Sequence, residues 1–85
     1  MTRAEVLDLV RRVLRAEFEL EGPEIGEHTH LVDDLDLDSI DGIDLVVSLE
    51  AETGLDVSEE ELKAMRVVQD VVDLVHRKLA ESEVG

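Results

Sequence analysis

The sequence predicts an all-α fold: a small irregular four-helix bundle with three longer helices, one short third helix and a long loop between the first two. Three observations carry that prediction. Apolar residues recur at three- and four-residue spacing in separate blocks, the period of an amphipathic helix. Helix-start signatures stand before several of those blocks, and glycine or proline punctuates the gaps. No stretch of useful length alternates apolar and polar residues as a strand does, and no internal repeat or low-complexity segment is present.

The first helix opens at Thr2-Arg3-Ala4-Glu5, a capping box with Thr2 as N-cap and Glu5 reaching back. Val6, Leu7, Val10, Val13 and Leu14 carry it to about Phe18. Gly22-Pro23 and Gly26 break the pattern, and a long loop runs to Leu37. Leu31, Val32, Leu35 and Leu37 are expected to pin that loop to the core. Asp38 is a favourable N-cap for the second helix, which should end near Gly54. Ser58-Glu59-Glu60-Glu61 is another capping box and opens a short third helix to about Ala64. Val68, Val71, Val72, Val75 and Leu79 form a stripe on the last helix. One domain is expected over residues 1–85, with its core at about 2–81 and a short flexible carboxyl-terminal tail.

Composition narrows the function classes. Leu, Val, Ile and Phe make up 30 of the 85 residues, too many for acidic disorder. The sole aromatic residue is Phe18, so the core must be aliphatic. With no Cys, disulfides, cysteine metal sites and a protein thiol nucleophile are excluded. A net charge of −15 argues against nucleic acid or an anionic membrane as partner and favours proteins with basic patches. The amino terminus lacks a signal-type apolar run and no stretch is long enough to span a bilayer, so the cytoplasm is the expected location.

The segment "DLDLDSIDGIDLVV", residues 34–47, concentrates aspartate around a single serine. At about 100° per residue, Leu45, Val46, Leu49 and Thr53 share one side of the second helix with Gly42, where close helix approach is possible. Ile40, Ile43 and Val47 fall on a largely opposite side, flanked by Asp44 and Glu50, with Asp41 nearby. A small bundle needs one apolar stripe per helix. The second stripe is either a docking strip for a partner with a basic rim, or a cover for loop residues such as Leu35. Ser39 stands at the first turn, where free N–H groups and the helix dipole suit a phosphate ester. Asp-Ser is also an ordinary helix start, and the surrounding acid opposes an added anion.

Taken together, "LVDDLDLDSIDGIDLVVSLEAETGL" followed by "VVQDVVDLV" resembles the acyl carrier proteins over nearly the full chain. The resemblance implies a 4′-phosphopantetheine arm joined to Ser39 through a phosphodiester, ending in a thiol that holds acyl groups as thioesters. The working thiol would then be imported, in keeping with the absence of Cys. It implies a non-catalytic carrier that is itself the substrate of partner enzymes: a phosphopantetheinyl transferase, acyl-loading enzymes, ketosynthases and other basic-surfaced enzymes of fatty-acid or polyketide biosynthesis. The family's recognition helix maps onto Asp38, Ile40, Asp41, Ile43, Asp44, Val47 and Glu50. A monomer is expected, with neither nucleic acid nor membrane as partner.

Four departures stand out: Ile40 where Leu is usual, Ala51 where an acid is frequent, Thr53 where a core aromatic is common, and Val67 where Thr often caps the last helix. The combination of "DLDLDSID", "DLVV" and "TG" is similar to stand-alone carriers of aryl-polyene-type and other specialised fatty-acid or polyketide clusters. Two alternatives remain: an aminoacyl or peptidyl carrier with the same arm, and an acidic adaptor for a basic partner with no prosthetic group. No metal site is expected. Asp34, Asp36 and Asp38 match the first EF-hand ligands, but the loop's glycine position holds Ser39 and its twelfth position Leu45. His28 and His30 lack further ligands at zinc spacing. Asp33 and Asp34 have no accompanying nucleophile or phosphate loop that would make them an enzyme's acid–base pair.

Overall fold

A computed structural model describes residues 2–18 and 25–84, the last three by backbone alone. The break expected at Gly22-Pro23 lies outside the described residues. Four helices follow in order: α1 (Arg3–Phe18), α2 (Ser39–Thr53), α3 (Glu59–Ala64) and α4 (Val68–Val84). The only ladder pairing among the described residues is an isolated antiparallel bridge between His30 and Val67. None of these helices is long and apolar enough to cross a membrane.

Three helices start as their sequences dictate. Thr2 Oγ1 accepts from the Glu5 N–H at 3.2 Å and Glu5 accepts from the Thr2 N–H at 2.8 Å, closing the first box. Ser58 and Glu61 close the same box on α3, at 3.1 and 3.0 Å. The start of α2 goes further than expected. Asp38 caps the Asp41 N–H at 2.9 Å, and the Asp41 carboxylate accepts from the Asp38 N–H at 3.1 Å. An Asp-Asp pair thus performs the reciprocal bonding usually given to Ser or Thr with Glu. Gly54 ends α2 in the left-handed region (φ 73°), its N–H donating to the Glu50 carbonyl at 2.8 Å.

The start of α4 corrects a sequence expectation. Val67 has no side-chain oxygen, so an uncapped end would cost about 0.5–2 kcal/mol. The loop supplies the acceptors instead. The Val68 N–H donates to the Thr29 carbonyl at 2.9 Å and the Gln69 N–H to the Glu27 carbonyl at 2.8 Å. Asp70 reaches back to the N–H groups of Arg66 and Val67 at 2.9 and 3.1 Å. At its other end α4 continues to Val84, with no glycine or proline to interrupt Glu81-Ser82-Glu83.

The core lies among α1, α2 and α4. Val6, Leu9, Val10, Val13 and Leu14 meet Leu45, Leu49, Val68, Val71, Val72 and Val75, joined by Ile25, Leu31 and Leu37 from the loop. Leu9 replaces Leu7 on the innermost face of α1, Leu7 being only half-buried. In the loop, Leu31 and Leu37 are buried and Leu35 packs against the core. Val32 does not pin the loop: its side chain is exposed.

Polar contacts tie the helices at their edges. Ser48 Oγ donates to Glu17 at 2.8 Å and Arg12 pairs with Glu52 at 3.6 Å, both joining α1 to α2. Arg3 pairs with Asp73 of α4 and with Glu27 of the loop.

Candidate functional site

The question left open by the sequence was which face of α2 is core. Leu45, Val46 and Leu49 are buried, at 1%, 8% and 1% exposure. Ile40, Ile43 and Val47 stand 69%, 52% and 57% exposed, so this stripe is not core. Three large aliphatic side chains on one exposed helix face form an unburied apolar strip. Its acidic frame is less uniform than expected. Asp44 is exposed and makes no hydrogen bond to another described residue. Asp38 and Asp41 are committed to the capping box. Glu50 is half-buried, and its carboxylate accepts from the Val57 N–H at 3.0 Å, tying the α2–α3 connection.

Ser39 is the first residue of α2 and is exposed. Its own N–H and that of Ile40 precede the first N–H groups taken by Asp38, so among the described residues neither has a protein acceptor. The other described serine hydroxyls are engaged: Ser48 donates to Glu17 and Ser58 accepts from the Glu61 N–H. No such bond holds the Ser39 hydroxyl among the described residues. The side chain of Ser82 lies outside them.

Ser39 also lies on the edge of a cleft of about 580 Å³ between the loop, α2 and α3. Its apolar walls are Leu31, Val32, Leu37, Ile43, Leu62 and Met65. Gly42 makes the α2 side of this cleft shallow: a Cβ there would stand 3.3 Å from Leu62 Cδ1. Val32, expected from its sequence to anchor the loop, is therefore part of the site. Only its place in the fold reveals this, because its residue type fits either role.

Among the described residues no group of three or more His, Asp or Glu is poised to hold an ion. His28 is exposed, while the Nδ1 of His30 accepts from the N–H groups of Val32 and Asp33 at 3.3 and 3.1 Å. His30 is thus a loop-organising residue. Asp36 sits at φ 58°, a left-handed conformation that aspartate tolerates better than most residues. The third helix carries the most perturbed carboxylate. Hydrogen bonding from the Ser58 backbone, then from Lys78, holds Glu61 down at about 2. The sequence suggests a solvated acidic run there; Glu59 and Glu60 are exposed, but Glu61 meets Lys78 at 3.0 Å and Arg77 at 3.5 Å.

A free serine hydroxyl at a helix start, beside an apolar cleft and an exposed apolar strip, fits a group joined through a phosphodiester. Comparison with known proteins identifies the family. The phosphopantetheine attachment site family matches residues 4–75. An acyl carrier protein from Ralstonia nicotianae, designated number 2, is 38% identical over 80 residues, covering 94% of this chain and 99% of its own. An acyl carrier protein from Coprothermobacter proteolyticus is 35% identical, covering 93% and 96%. The crystal structure of an acyl carrier protein from Thermotoga maritima superposes with a TM-score of 0.82 at 30% identity, over 93% of this chain and 92% of that one. The helical order, the full-length match and the attachment-site family lead to one conclusion: the chain belongs to the acyl carrier protein family, and it carries acyl groups on 4′-phosphopantetheine.

Proposed function

We propose that Ser39 is the point of attachment and that the exposed face of α2 is where partner enzymes dock. The observation that carries the first reading is the contrast among serines: Ser48 and Ser58 hold structural hydrogen bonds, whereas the exposed Ser39 hydroxyl holds none among the described residues. The bound arm supplies a thiol that binds acyl groups as thioesters. The rest falls to the chain's own groups. The free N–H groups of Ser39 and Ile40 and the dipole of α2 favour an anion at that point, offsetting repulsion from Asp36, Asp38 and Asp41. In this reading the chain is the transferase's substrate, and the base that takes the Ser39 Oγ proton is the transferase's. The walls of the cleft offer an apolar surface next to Ser39.

Intact mass after incubation with coenzyme A and a phosphopantetheinyl transferase tests the attachment. The wild type should gain one phosphopantetheine, and Ser39→Ala should fold and stay at its apo mass. Gain of the arm by Ser39→Ala would overturn the assignment.

The docking reading rests on Ile40, Ile43 and Val47, with acid from Asp38, Asp41, Asp44 and Glu50 around them. Exposed charge acts mainly on the association rate, and buried apolar contact on residence time. Asp44 is the cleanest steering residue, because Glu50 also has a structural bond. Asp44→Lys should slow arm loading at low salt and approach wild type at high salt. Transferase kinetics over a salt series measure this; equal rates at low salt would remove Asp44 from the surface. The partners are basic-surfaced enzymes acting on a cytoplasmic monomer. The combination of "DLDLDSID", "DLVV" and "TG", with the departures at Ile40, Ala51, Thr53 and Val67, favours a specialised fatty-acid or polyketide pathway.

A further inference from the structure

The third helix forms a wall of the Ser39 cleft through Glu59, Leu62 and Lys63, with Met65 just beyond its end. Yet none of its six residues is buried. Its position must come from something other than a core-facing stripe. On the α2 side it has Leu62 resting against Gly42. On the α4 side it has one polar junction. Lys78 Nζ meets Glu61 Oε1 at 3.0 Å and donates to the Asp56 carbonyl at 2.7 Å, while Arg77 approaches the same carboxylate at 3.5 Å.

Two features set this junction apart. Lys78 and Glu61 are the most covered ion pair among the described residues, at 21% and 26% side-chain exposure, so solvent screens them less than the others. Glu61 also plays a second role, because its Oε1 accepts from the Ser58 N–H in the box that starts α3. One carboxylate therefore both initiates the helix and fastens it to α4. The Asp56 carbonyl, in the connection leading into α3, is gripped by the same ammonium. Lys78 holds α3 at its entry and within its first turn, and neither it nor Glu61 lines the cleft.

We infer that Lys78 is a positioning residue for the Ser39 cleft: by clamping Glu61 and the Asp56 carbonyl, it fixes α3 and so sets how far the cleft stands open. The clamp rests on the reading of Ser39 only for its consequence to the cargo; the positioning itself belongs to the chain without its arm. An ammonium with two acceptors also explains why α3 stays in place without burial. Other charged groups near the junction are Arg77 and Asp73 on α4, Asp70 at its start, and Glu59, Glu60 and Lys63 on α3.

The test uses amide hydrogen exchange and Nile red binding on the full chain without its arm. Lys78→Met should speed exchange in α3 by roughly fivefold, with α1 and α4 unchanged, as release of a partly covered charged clamp implies. Nile red should bind more strongly as the cleft opens. Lys78→Arg should restore both. Glu61→Gln separates the two roles of that carboxylate, because Gln can still close a capping box. It should loosen α3 as Lys78→Met does, and the double variant should add little. Glu60→Gln, exposed on the same helix and outside the cleft lining, is the control and should change neither reading. The inference fails if Lys78→Met leaves α3 exchange at the wild-type rate. It also fails if exchange in α4 rises equally, which would mark a general loss of packing, or if Glu60→Gln has the same effect. The measurements repeated in Ser39→Ala should give the same pattern, so a wrong attachment point and a wrong clamp give different results.

Discussion

The helices α3 and α4 are neighbours in sequence and are held by opposite means. In α4, Val68, Val71, Val72 and Val75 are at most 1% exposed and make a continuous stripe against α1. In α3 nothing is buried, and its place depends on a capping box, a glycine-permitted contact and an ion pair. Apolar burial is worth about 1.5–3 kcal/mol per large aliphatic side chain, whereas an exposed or half-exposed ion pair is worth about 0–1. The difference teaches where this small molecule can move. The element that can be loosened at low cost is the one that walls the cleft beside Ser39. The α2 wall of the same cleft is anchored instead by Leu45 and Leu49, each 1% exposed.

Four measurements would break or sharpen this contrast. The largest effect should come from the core. Leu49 is 1% exposed on the inner face of α2, and Leu49→Ala should cost about 2–5 kcal/mol in denaturant unfolding. A loss under about 1 kcal/mol would mean that α2 is not anchored as described.

Removal of the cap on α3 comes next. Ser58→Ala should cost about 1 kcal/mol, within the usual range for a lost N-cap, and hydrogen exchange should rise in α3 before it rises in α4. Equal loosening of both helices would erase the distinction between them.

Acid should reach the same helix by another route. Folding lowers the Glu61 pKa from 4.5 to about 2, so its contribution to stability is complete above pH 4.5. That contribution falls away as pH drops from 4.5 towards 2 and is absent below. Over this window α3 should lose exchange protection ahead of α4 in the wild type, and Glu61→Gln should remove that part of the pH dependence. An unchanged profile in the variant would show that other carboxylates govern α3.

The smallest stability effect belongs to the exposed strip. Ile43→Ser should change unfolding by no more than about 0.5 kcal/mol, while weakening transferase docking at every salt concentration. A destabilisation comparable with Leu49→Ala would place Ile43 in the core and remove the docking strip.

The sequence makes the main helices legible because their signals are local. Thr2 with Glu5, Ser58 with Glu61, and Gly54 each act within three or four residues, so spacing alone locates them. The two faces of α2 are separable by helical geometry, but which is buried cannot be decided from one helix. That depends on what packs against Leu45 and Leu49, and those partners are distant in sequence. Val32 escapes a sequence reading for the same reason: its chemistry suits a loop anchor as well as a cleft wall. Glu50 and Glu61 look like two more surface acids in a strongly acidic chain. Their partners, the Val57 N–H in the α2–α3 connection and Lys78 on α4, set them apart.

The borrowed cap at the head of α4 has a consequence for the order of folding. The Glu27 and Thr29 carbonyls that receive the Gln69 and Val68 N–H groups lie about forty residues upstream, and the His30–Val67 bridge lies beside them. A local Thr would have let α4 complete its first turn alone. Here that turn must wait until the loop has been brought across the bundle, so the loop and the head of α4 should form together in a late kinetic step. A Val67→Thr variant would carry its own acceptor, relieve that dependence and speed refolding more than it slows unfolding if this joining lies within the rate-limiting barrier.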